Sequence, residues 1–515
     1  MKTLSRRDTL KLMAASAAGM GLAQFASLLD IRAGASTDKP NVLILLFDAM
    51  SVHNLSVYGY PRPTTPNLER FAQRATVYHS HHSGSNFTTP GTASMLTGLY
   101  PWHHRAMSDR SLVRRDLSGQ SFYNAVGAGV QRVGFSQNLW ADLFLRQFRT
   151  DVDEHIPSNS FSYKQMATQI SQKMRNDPNM AYYAVDEFLA SSHNLIGSAS
   201  PGSALWGYMD ISYGQAVAPA ASDEYPYSMP SNGYSIYQHA QLLEGLGDTF
   251  ERMEKRSVPW FGYFHVFSPH TPYAPRKQFV GSLPEIKFPF KKPHALASYH
   301  ASWPEIQQNR NRYDEYIADL DFEFGKLFDR LEASGILDTT HVIITSDHGE
   351  LFERGEFGHG SPLLYDAVTH IPLLVSVPGQ RERKDVFTLT SNTDILPTLA
   401  HLYGNPIPKE TDGKVLARLG GEEEADRSIF SMVMRSSSSF QPVRTGSVAL
   451  LREEWKLIHY FGYEGYENAF ELYNMRDDPL EKRDLFSKQP SVLQSLKQEL
   501  LDSLEDANRP YRREG

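Results

Sequence analysis

A continuous apolar run, Asn41–Phe47, stops abruptly at Asp48. An alternating pattern would leave one face of a strand in water, whereas an unbroken run is typical of a strand buried on both faces. Similar runs occur at Trp260–Val266, His341–Thr345 and Ile371–Val377. Strands of this kind predict a parallel sheet that is covered by other elements on both sides.

Helical patterns lie between these runs. Tyr313–Ser334 carries apolar residues at close to helical spacing, and Gly335 follows as a residue suited to end the helix. Alternating strands and helices predict an α/β fold with a mostly parallel central sheet and helices on both faces. Ligands bind such sheets at the carboxyl ends of the strands. The polar residues that follow predicted strands are Asp48, His270, Asp347 and His348.

The first 35 residues are typical of an export signal. Arg6 and Arg7 precede a weakly apolar stretch, Leu12–Leu29, and the small residues Ala33–Ala35 follow. Paired arginines favour the twin-arginine export machinery. An uncleaved membrane anchor is the alternative, but the stretch is rich in alanine and glycine and poorly suited to span a bilayer. The expected location is therefore the periplasm or the exterior, with no stable membrane span after processing.

The remaining chain is predicted to form a catalytic α/β domain with a smaller unit after it. The catalytic domain is expected at 40–430, with an insertion at about 151–256 that has little periodicity. A small C-terminal α+β subdomain is expected at 431–515. Its predicted elements are strands Ser447–Leu451 and Trp455–Phe461 and a closing helix, Val492–Leu504.

Charge and cysteine content exclude some classes of function. Without residues 1–35, the chain has 46 basic and 57 acidic residues and a net charge of −11. Such a balance argues against nucleic-acid binding, and an anionic substrate would need local positive charge, most simply from a metal ion. The chain contains no cysteine, which excludes disulfides and a cysteine-derived nucleophile.

The segment Phe87–Gly98 predicts a turn that enters a helix. Thr88 or Thr89 is expected at the N-cap, with Pro90 early in the helix, so that a hydroxyl lies at the positive end of the helix dipole. Two carboxylates, an imidazole and this hydroxyl can hold one divalent ion; the histidine favours Zn²⁺ or Mn²⁺, and Ca²⁺ remains possible. The predicted metal ligands are Asp48, Thr88, Asp347 and His348. Singly, each could instead be a cap or a turn residue.

Ordered motifs along the chain resemble those of the sulfatase family, within the alkaline phosphatase superfamily. They are Asn41–Asp48, Tyr58–Tyr60, Thr65–Ala72, Leu96–Pro101, Pro269–Tyr273, Thr345–Glu350, Gly358–Gly360, Tyr365–Asp366, Thr393–Leu399, Asp412–Gly413, Glu471–Asn474 and Asp477–Pro479. The similarity runs from Asn41 to about Leu504, apart from the 151–256 insertion. It implies an alkaline-phosphatase-like fold and metal-dependent hydrolysis of an ester.

Several positions depart from the sulfatase pattern. Sulfatases use a formylglycine made from Cys or Ser, whereas Thr88 holds that position here and cannot become an aldehyde. Ala49 replaces the usual second aspartate, Thr92 replaces an arginine, and the Lys-Trp-His motif is missing near Asn138. A threonine nucleophile is similar to that of phosphodiesterases and phosphoethanolamine transferases, and the metal shell resembles that of phosphonate monoester hydrolases.

These features favour cleavage of a phosphodiester or phosphonate ester through Thr88. Metal and hydroxyl would form the attacking group, and His270 or His359 would protonate the leaving alkoxide. His265 is interpreted as a structural strand residue. The expected substrate is a small-molecule or a glycan- or lipid-linked anionic ester. Three alternatives stay open: a sulfatase that works without formylglycine, an exported transferase of phosphate-linked head groups, and a non-catalytic binding protein.

Overall fold

Strand β1 lies in the middle of an eight-stranded sheet in the computed structural model, with strand order β5-β4-β6-β1-β7-β8-β2-β9. All neighbouring pairs are parallel except the two that involve β8. Short strands β3 and β10 pair separately. The bounds are β1 (Asn41–Asp48), β2 (Thr76–Tyr78), β3 (His81–His82), β4 (Gln131–Ser136), β5 (Glu154–Ile156), β6 (Trp260–Pro269), β7 (Thr340–Thr345), β8 (Leu373–Ser376), β9 (Lys384–Val386) and β10 (Thr390–Ser391).

The structure describes residues 39–512 apart from 164–166, 168–169, 171–179, 193–196, 218–222, 287, 289–292 and 489. The predicted export signal, residues 1–35, lies outside these ranges. The helices up to the C-terminal region are α1 (Pro66–Ala72), α2 (Thr88–Thr97), α3 (Pro101–His104), α4 (Phe122–Ala125), α5 (Leu139–Gln147), α6 (Met180–Ser192), α7 (Pro201–Val217), α8 (His239–Glu254), α9 (Trp303–Ala333), α10 (Ile336–Thr339), α11 (Asp366–Thr369) and α12 (Ile395–Leu402). Among the described helices, none combines the length and apolarity that crossing a bilayer requires.

Alternate residues of β1 pack into two different cores, which explains why its sequence is apolar throughout. Leu43, Leu45 and Phe47 belong to one core, which α8 and α9 cover. The residues between them, such as Ile44, belong to a second core, which α2, α5 and α12 cover. The predicted α/β architecture, a mostly parallel sheet with helices on both faces, is therefore confirmed.

The region predicted as an insertion is only partly separate from the sheet. Its first residues form the edge strand β5, which pairs in parallel with β4. Its last residues form α8, which packs beside α9 in the first core. Helices α6 and α7, between these two elements, contribute to a smaller core of their own.

The C-terminal region forms an antiparallel four-stranded sheet with a long helix. Its strands and helix are β11 (Ser428–Val433), β12 (Gly446–Arg452), β13 (Trp455–Tyr463), β14 (Tyr466–Asn474) and α13 (Pro490–Asn508). Leu496, Leu500 and Leu504 of α13 pack on one face of this sheet together with Tyr100 and Trp102. Residues from Lys39 onward form one compact unit. The sheet and its helix are the expected small C-terminal α+β subdomain, and the expected domain bounds stay a prediction.

A buried histidine ties helix α2 to the chain that follows it. His104 is fully buried, its Nδ1 accepts the N–H of Ala106, and its Nε2 lies 3.1 Å from the hydroxyl of Ser94 on α2. Burial lowers the pKa of His104 to about 3. The ring is therefore neutral in the folded protein, whereas it takes up a proton below about pH 6.5 in the unfolded chain.

We predict that this ring makes the protein less stable in acid. Because its folded pKa is depressed, its contribution is complete above about pH 6.5 and is lost as the pH falls towards 3. The His104→Gln variant has no ring at this position to take up a proton. When the pH falls from about 7.5 to about 4.5, its free energy of unfolding should therefore drop by about 2 to 3 kcal/mol less than that of wild type. Urea unfolding at both pH values measures this, and an equal acid-side loss in the two proteins would contradict it.

Candidate active site

The central strands bring Asp48 and Asp347 to one edge of the sheet. Asp48 is the last residue of β1, and Asp347 follows two residues after the end of β7. These strands are parallel neighbours with Leu46 opposite Thr345, so their carboxyl ends coincide. After Asp48 the chain turns at Ala49, whose φ of 60° lies in the left-handed region. This turn points the Ala49 N–H at Asp347 Oδ1, 3.3 Å away.

Thr88 lies at the start of α2 and faces these carboxylates. Its Oγ1 is 3.4 Å from His348 Nε2 and accepts a hydrogen bond of 3.2 Å from Asn138 Nδ2. The expectation that Thr88 or Thr89 caps the helix is wrong: Phe87 occupies the cap position, and no side chain bonds to the first turn there. The hydroxyl of Thr88 is committed to the site instead, and that of Thr89 is buried without a hydrogen-bond partner.

Two carboxylate oxygens at the centre of the site are buried and unpaired. They are Asp48 Oδ1 and Asp347 Oδ2. Burial and the charge of Asp48 raise the pKa of Asp347. For Asp48, burial opposes ionisation, but His270 and a hydrogen bond from His265 lower its pKa below the usual range. The two oxygens without hydrogen bonds, and the mutual repulsion of the carboxylates, favour a bound cation.

His348 is oriented as a metal ligand would be. Its Nδ1 lies 2.8 Å from the carbonyl oxygen of Gly349, which can only accept, so Nδ1 carries the proton and Nε2 presents its lone pair. Nε2 lies 3.5 Å from Asp48 Oδ1 and 3.7 Å from Asp347 Oδ2. The structure thus brings all four predicted ligands together.

His265 also reaches this cluster, so its interpretation as a purely structural strand residue needs correction. Its Nε2 lies 3.0 Å from Asp48 Oδ2 and 3.9 Å from Asp347 Oδ2, and its Nδ1 lies 3.0 Å from the hydroxyl of Tyr263. The three ligand atoms of His265, Asp48 and Asp347 lie within 4.8 Å of one another. The pairing of Leu46 with His265 in parallel strands explains the placement.

Asn138 is a second residue that sequence reasoning did not identify as part of the site. Its Nδ2 donates to Asp48 Oδ2 at 2.6 Å as well as to Thr88. The side-chain oxygen accepts the N–H of Trp140 at 3.0 Å, which fixes the amide with its NH₂ group towards the carboxylate and the hydroxyl. The loop after β4 therefore supplies an uncharged donor where the sequence lacks the family's lysine motif.

His359 lies next to His348, and His270 lies next to His359. The ring centres of His359 and His348 are 4.4 Å apart, and those of His359 and His270 are 4.7 Å apart. Burial lowers the pKa of both rings, that of His359 to about 3. His359 Nδ1 lies 3.1 Å from Glu350, a buried carboxyl whose pKa burial raises to about 7. His270 Nδ1 instead lies 2.7 Å from the carbonyl oxygen of Thr271.

The donor set fits one divalent ion. Asp48, Asp347 and His348 offer two carboxylate oxygens and an imidazole nitrogen, and Thr88 and His265 stand beside them. Mixed nitrogen and oxygen donors are the ligands that Zn²⁺ and Mn²⁺ accept readily, whereas Ca²⁺ prefers oxygen alone.

Comparison with known families decides the classification of the chain. The profile of the Sulfatase family matches residues 40–405, and that of the N-sulphoglucosamine sulphohydrolase C-terminal region matches residues 355–509. The protein belongs to the sulfatase family. It is therefore a hydrolase that acts on ester bonds, and enzymes of this family use a divalent metal ion.

Individual relatives of this sulfatase-family chain are distant but cover most of its length. The choline-sulfatase of Rhizobium meliloti (strain 1021) is 22% identical over 488 residues, which cover 87% of this chain and 83% of the relative. An N-acetylgalactosamine-6-O-sulfatase of Bacteroides thetaiotaomicron is 21% identical and covers 92% and 94%. The solved phosphonate monoester hydrolase of Agrobacterium radiobacter matches with a TM-score of 0.64 at 19% identity, covering 91% and 96%. At this identity the structural likeness shows the fold alone.

Gly91 lets helix α2 approach the loop that carries Asp347. A Cβ at this position would lie 2.4 Å from the carbonyl oxygen of Asp347 and 3.3 Å from the hydroxyl of Ser83. Helix α2 and the loop of Asp347 can therefore touch here only because no side chain intervenes.

We predict that Gly91→Ala separates Thr88 from the metal loop. The overpacking should cost about 1 to 3 kcal/mol of unfolding free energy and should also lower turnover. Gly119→Ala is the matched control, because nothing lies within 4 Å of its added methyl group. Thermal unfolding and steady-state kinetics measure both effects. If the two variants behaved alike, close helix–loop contact would not be what positions the nucleophile.

Proposed function

We propose that the protein hydrolyses a phosphodiester or phosphonate ester, with Thr88 as the nucleophile. The observation that carries this proposal is the position of the Thr88 hydroxyl, buried between His348 Nε2 at 3.4 Å and the Asn138 amide at 3.2 Å. A threonine cannot become the aldehyde that other family members use, so its chemistry must proceed through the hydroxyl oxygen.

Local groups support a negatively charged oxygen on Thr88. The Asn138 NH₂ group donates to this oxygen and cannot accept a proton from it. Thr88 also begins α2, whose unpaired N–H groups and dipole favour negative charge. His348 Nε2 lies 3.4 Å from this oxygen, so an ion held by His348 would also lie beside it, and the hydroxyl proton would leave to solvent.

Asp48, Asp347 and His348 would hold the metal ion, with Thr88 and His265 at its edge. When bound, a divalent ion supplies positive charge that lowers the pKa of a neighbouring hydroxyl and polarises a phosphoryl oxygen. The unpaired oxygens of the two aspartates are the groups that such an ion would satisfy.

The proposed reaction has two displacements at phosphorus. Thr88 Oγ1 forms a bond to phosphorus while the bond to the leaving oxygen breaks, and the leaving alkoxide takes up a proton. Water then attacks phosphorus, the bond to Thr88 breaks, and the hydroxyl regains a proton. Phosphorus permits this second attack by water. A sulfate ester of formylglycine instead loses its sulfate when the hydrate collapses to the aldehyde, and threonine cannot follow that route.

His359 is the better candidate for the proton donor. Burial raises the pKa of Glu350 to about 7, so its carboxyl can donate to His359 Nδ1, which leaves the proton of the neutral ring on Nε2. Nε2 can then give this proton to the leaving oxygen while the proton of Glu350 passes to Nδ1. His270 Nδ1 donates to the Thr271 carbonyl, so a neutral His270 ring offers only a lone pair at Nε2. His270 is thus better suited to accept a hydrogen bond from the substrate or from the attacking water.

A second candidate function is hydrolysis of a sulfuric ester without formylglycine. The names of the choline-sulfatase and N-acetylgalactosamine-6-O-sulfatase relatives favour this candidate, since both align over most of the chain. This candidate requires a sulfate ester of Thr88 that water then hydrolyses, because threonine lacks the aldehyde route by which formylglycine releases sulfate.

The proposed substrate is a small-molecule or a glycan- or lipid-linked anionic ester, processed outside the cytoplasm. Arg6, Arg7 and the weakly apolar stretch after them support export through the twin-arginine machinery. The twin-arginine route exports folded proteins. It therefore suits this chain, whose site residues come together only when the central sheet has formed.

We predict that Thr88→Ala lowers turnover of phosphorus esters by at least about 10³-fold, because the attacking atom is lost. Purified protein should be assayed on a bis-aryl phosphate, an aryl phosphonate monoester, an aryl phosphate and an aryl sulfate, with Zn²⁺, Mn²⁺ and Ca²⁺ each added. The matched control is Thr89→Ala, which removes a buried hydroxyl from the same turn that has no hydrogen-bond partner. This control should keep most of the activity.

Two outcomes would change the assignment. Near-native activity of Thr88→Ala on phosphorus esters would mean that water, not Thr88, attacks the substrate. Faster cleavage of the aryl sulfate than of every phosphorus ester by wild type would replace the first candidate with the second.

We predict that His359→Asn slows esters with poor leaving groups more than esters with good ones, because an alkoxide of high pKa depends most on a proton donor. A series of aryl and alkyl leaving groups should therefore give a steeper dependence of log kcat/KM on leaving-group pKa in this variant. His270→Asn should lower rates more evenly across the series. An unchanged slope in His359→Asn would exclude His359 as the acid.

A further inference from the structure

We propose that His53, Asp366 and His370 form a second metal site, distinct from the active site, that takes one Zn²⁺-like ion. Asp366 begins helix α11, and His370 follows its last residue. His53 lies in the short 3-10 turn Val52–Asn54, a few residues after β1. The three residues thus bring together two segments of chain that are more than 300 residues apart.

The donor atoms converge on a single point. His53 Nε2 and His370 Nδ1 each lie 2.9 Å from Asp366 Oδ2, and the three atoms lie within 4.8 Å of one another. Ligands at the Zn²⁺ distance of about 2.0 to 2.1 Å in a tetrahedral arrangement are about 3.3 Å apart. The two distances from Asp366 Oδ2 to the histidine nitrogens would need to open by only a few tenths of an ångström to admit an ion.

The tautomer of His370 supports a ligand role. Its Nε2 lies 2.9 Å from the backbone oxygen of His79, which can only accept, so Nε2 carries the proton. With Nε2 occupied in this way, Nδ1 is the ring atom that faces Asp366 Oδ2 and that an ion would use. A carbonyl that fixes the far nitrogen is the usual support of a zinc-bound histidine.

Other buried groups around Asp366 lack partners. Asp366 Oδ1 makes no hydrogen bond, and neither does His82 Nδ1, which lies 3.8 Å away on a ring stacked 4.6 Å from that of His370. Lys456 also lies 3.8 Å from Asp366 Oδ1, but its nearer carboxylate is Glu481 at 2.9 Å. The lysine and glutamate charges balance each other, which leaves the charge of Asp366 for the two histidines and an ion.

The site is open enough to exchange an ion with solvent. The side chains of His53 and His370 each retain 15% of their exposure, whereas that of Asp366 retains 8%. A water molecule would complete four-coordination around an ion held by these three protein ligands.

An ion at this position would stabilise the two loops that carry Asp48 and His348, because helix α11 bonds to both of them. The backbone of α11 accepts hydrogen bonds from the N–H groups of Gly349 and Glu350, which follow His348. It also accepts a bond of 2.7 Å from the hydroxyl of Ser51, three residues after Asp48. Fixing His53 to Asp366 and His370 would therefore hold both metal-bearing loops of the active site from behind. The proposal stands on these residues alone and does not depend on the reaction or on the nucleophile.

Metal content of the full chain tests the proposal directly. The protein is stripped with a chelator, reloaded with Zn²⁺ alone, dialysed, and analysed by mass spectrometry for zinc per chain. Wild type should hold two ions, His53→Gln one, and the double variant Asp48→Asn/Asp347→Asn one. His103→Gln is the matched control, because His103 pairs with Asp412 at 2.8 Å without a second imidazole, and it should still hold two.

A second readout separates the two ions. Co²⁺ loaded into Asp48→Asn/Asp347→Asn should give the visible absorption of a nitrogen- and oxygen-ligated ion, and adding His53→Gln should abolish it. Zn²⁺ should also raise the Tm of the double variant but not that of the triple variant. One ion in wild type, or two ions in His53→Gln, would overturn the proposal. Loss of zinc from the double aspartate variant while the wild type holds one would show that only the active site binds metal.

Discussion

Two buried carboxylates at the ends of adjacent strands impose the constraint on which the rest of the molecule depends. Asp48 and Asp347 each keep an oxygen without a hydrogen bond, and burial makes their charges costly. Donors in the surroundings compensate part of this charge: the His265 ring and the Asn138 amide each bond to Asp48, and the positive end of helix α2 faces the same centre. A divalent ion would complete the compensation. The left-handed turn at Ala49 and the absence of a side chain at Gly91 allow these parts to meet.

Family membership establishes the class of reaction, whereas the type of ester has to be inferred from the side chains of the site. The family establishes an ester hydrolase with a metal ion, because its profile covers most of the chain. The identity of the ester depends on one side chain. The proposed hydroxyl nucleophile suits an ester whose central atom can be attacked twice, and Asn138 beside it is an uncharged donor. The proposal of a phosphorus ester depends on these side chains, while the scaffold is that of sulfatases.

Much of the fold could be predicted because the long strands are apolar on both faces. Runs such as Asn41–Phe47 have few alternatives, and their carboxyl ends located the site in advance. Strands of two or three residues, such as β5, could not be predicted, since their neighbours rather than their sequence make them strands. His265 was misinterpreted for a related reason: it lies within an apolar run, where hydropathy indicates core, and only its register beside β1 brings it to Asp48. Asn138 was missed because a loop amide gives no pattern; its role depends on a three-dimensional meeting of two segments.

The distance along the chain between the parts of the site has a consequence for how the protein folds. The bond from Ala49 to Asp347 joins residues 298 positions apart, and β1 gains its neighbours only when β6 and β7 have been added. Parallel pairing between distant segments requires long loops to close, at a cost in entropy, before the stabilising contacts between the strands can form. This makes folding slow. No early fragment contains both carboxylates, so the ion cannot serve as a template for the nucleus. An ion that binds only the finished sheet would stabilise it by mass action, and the gain would appear mainly as slower unfolding.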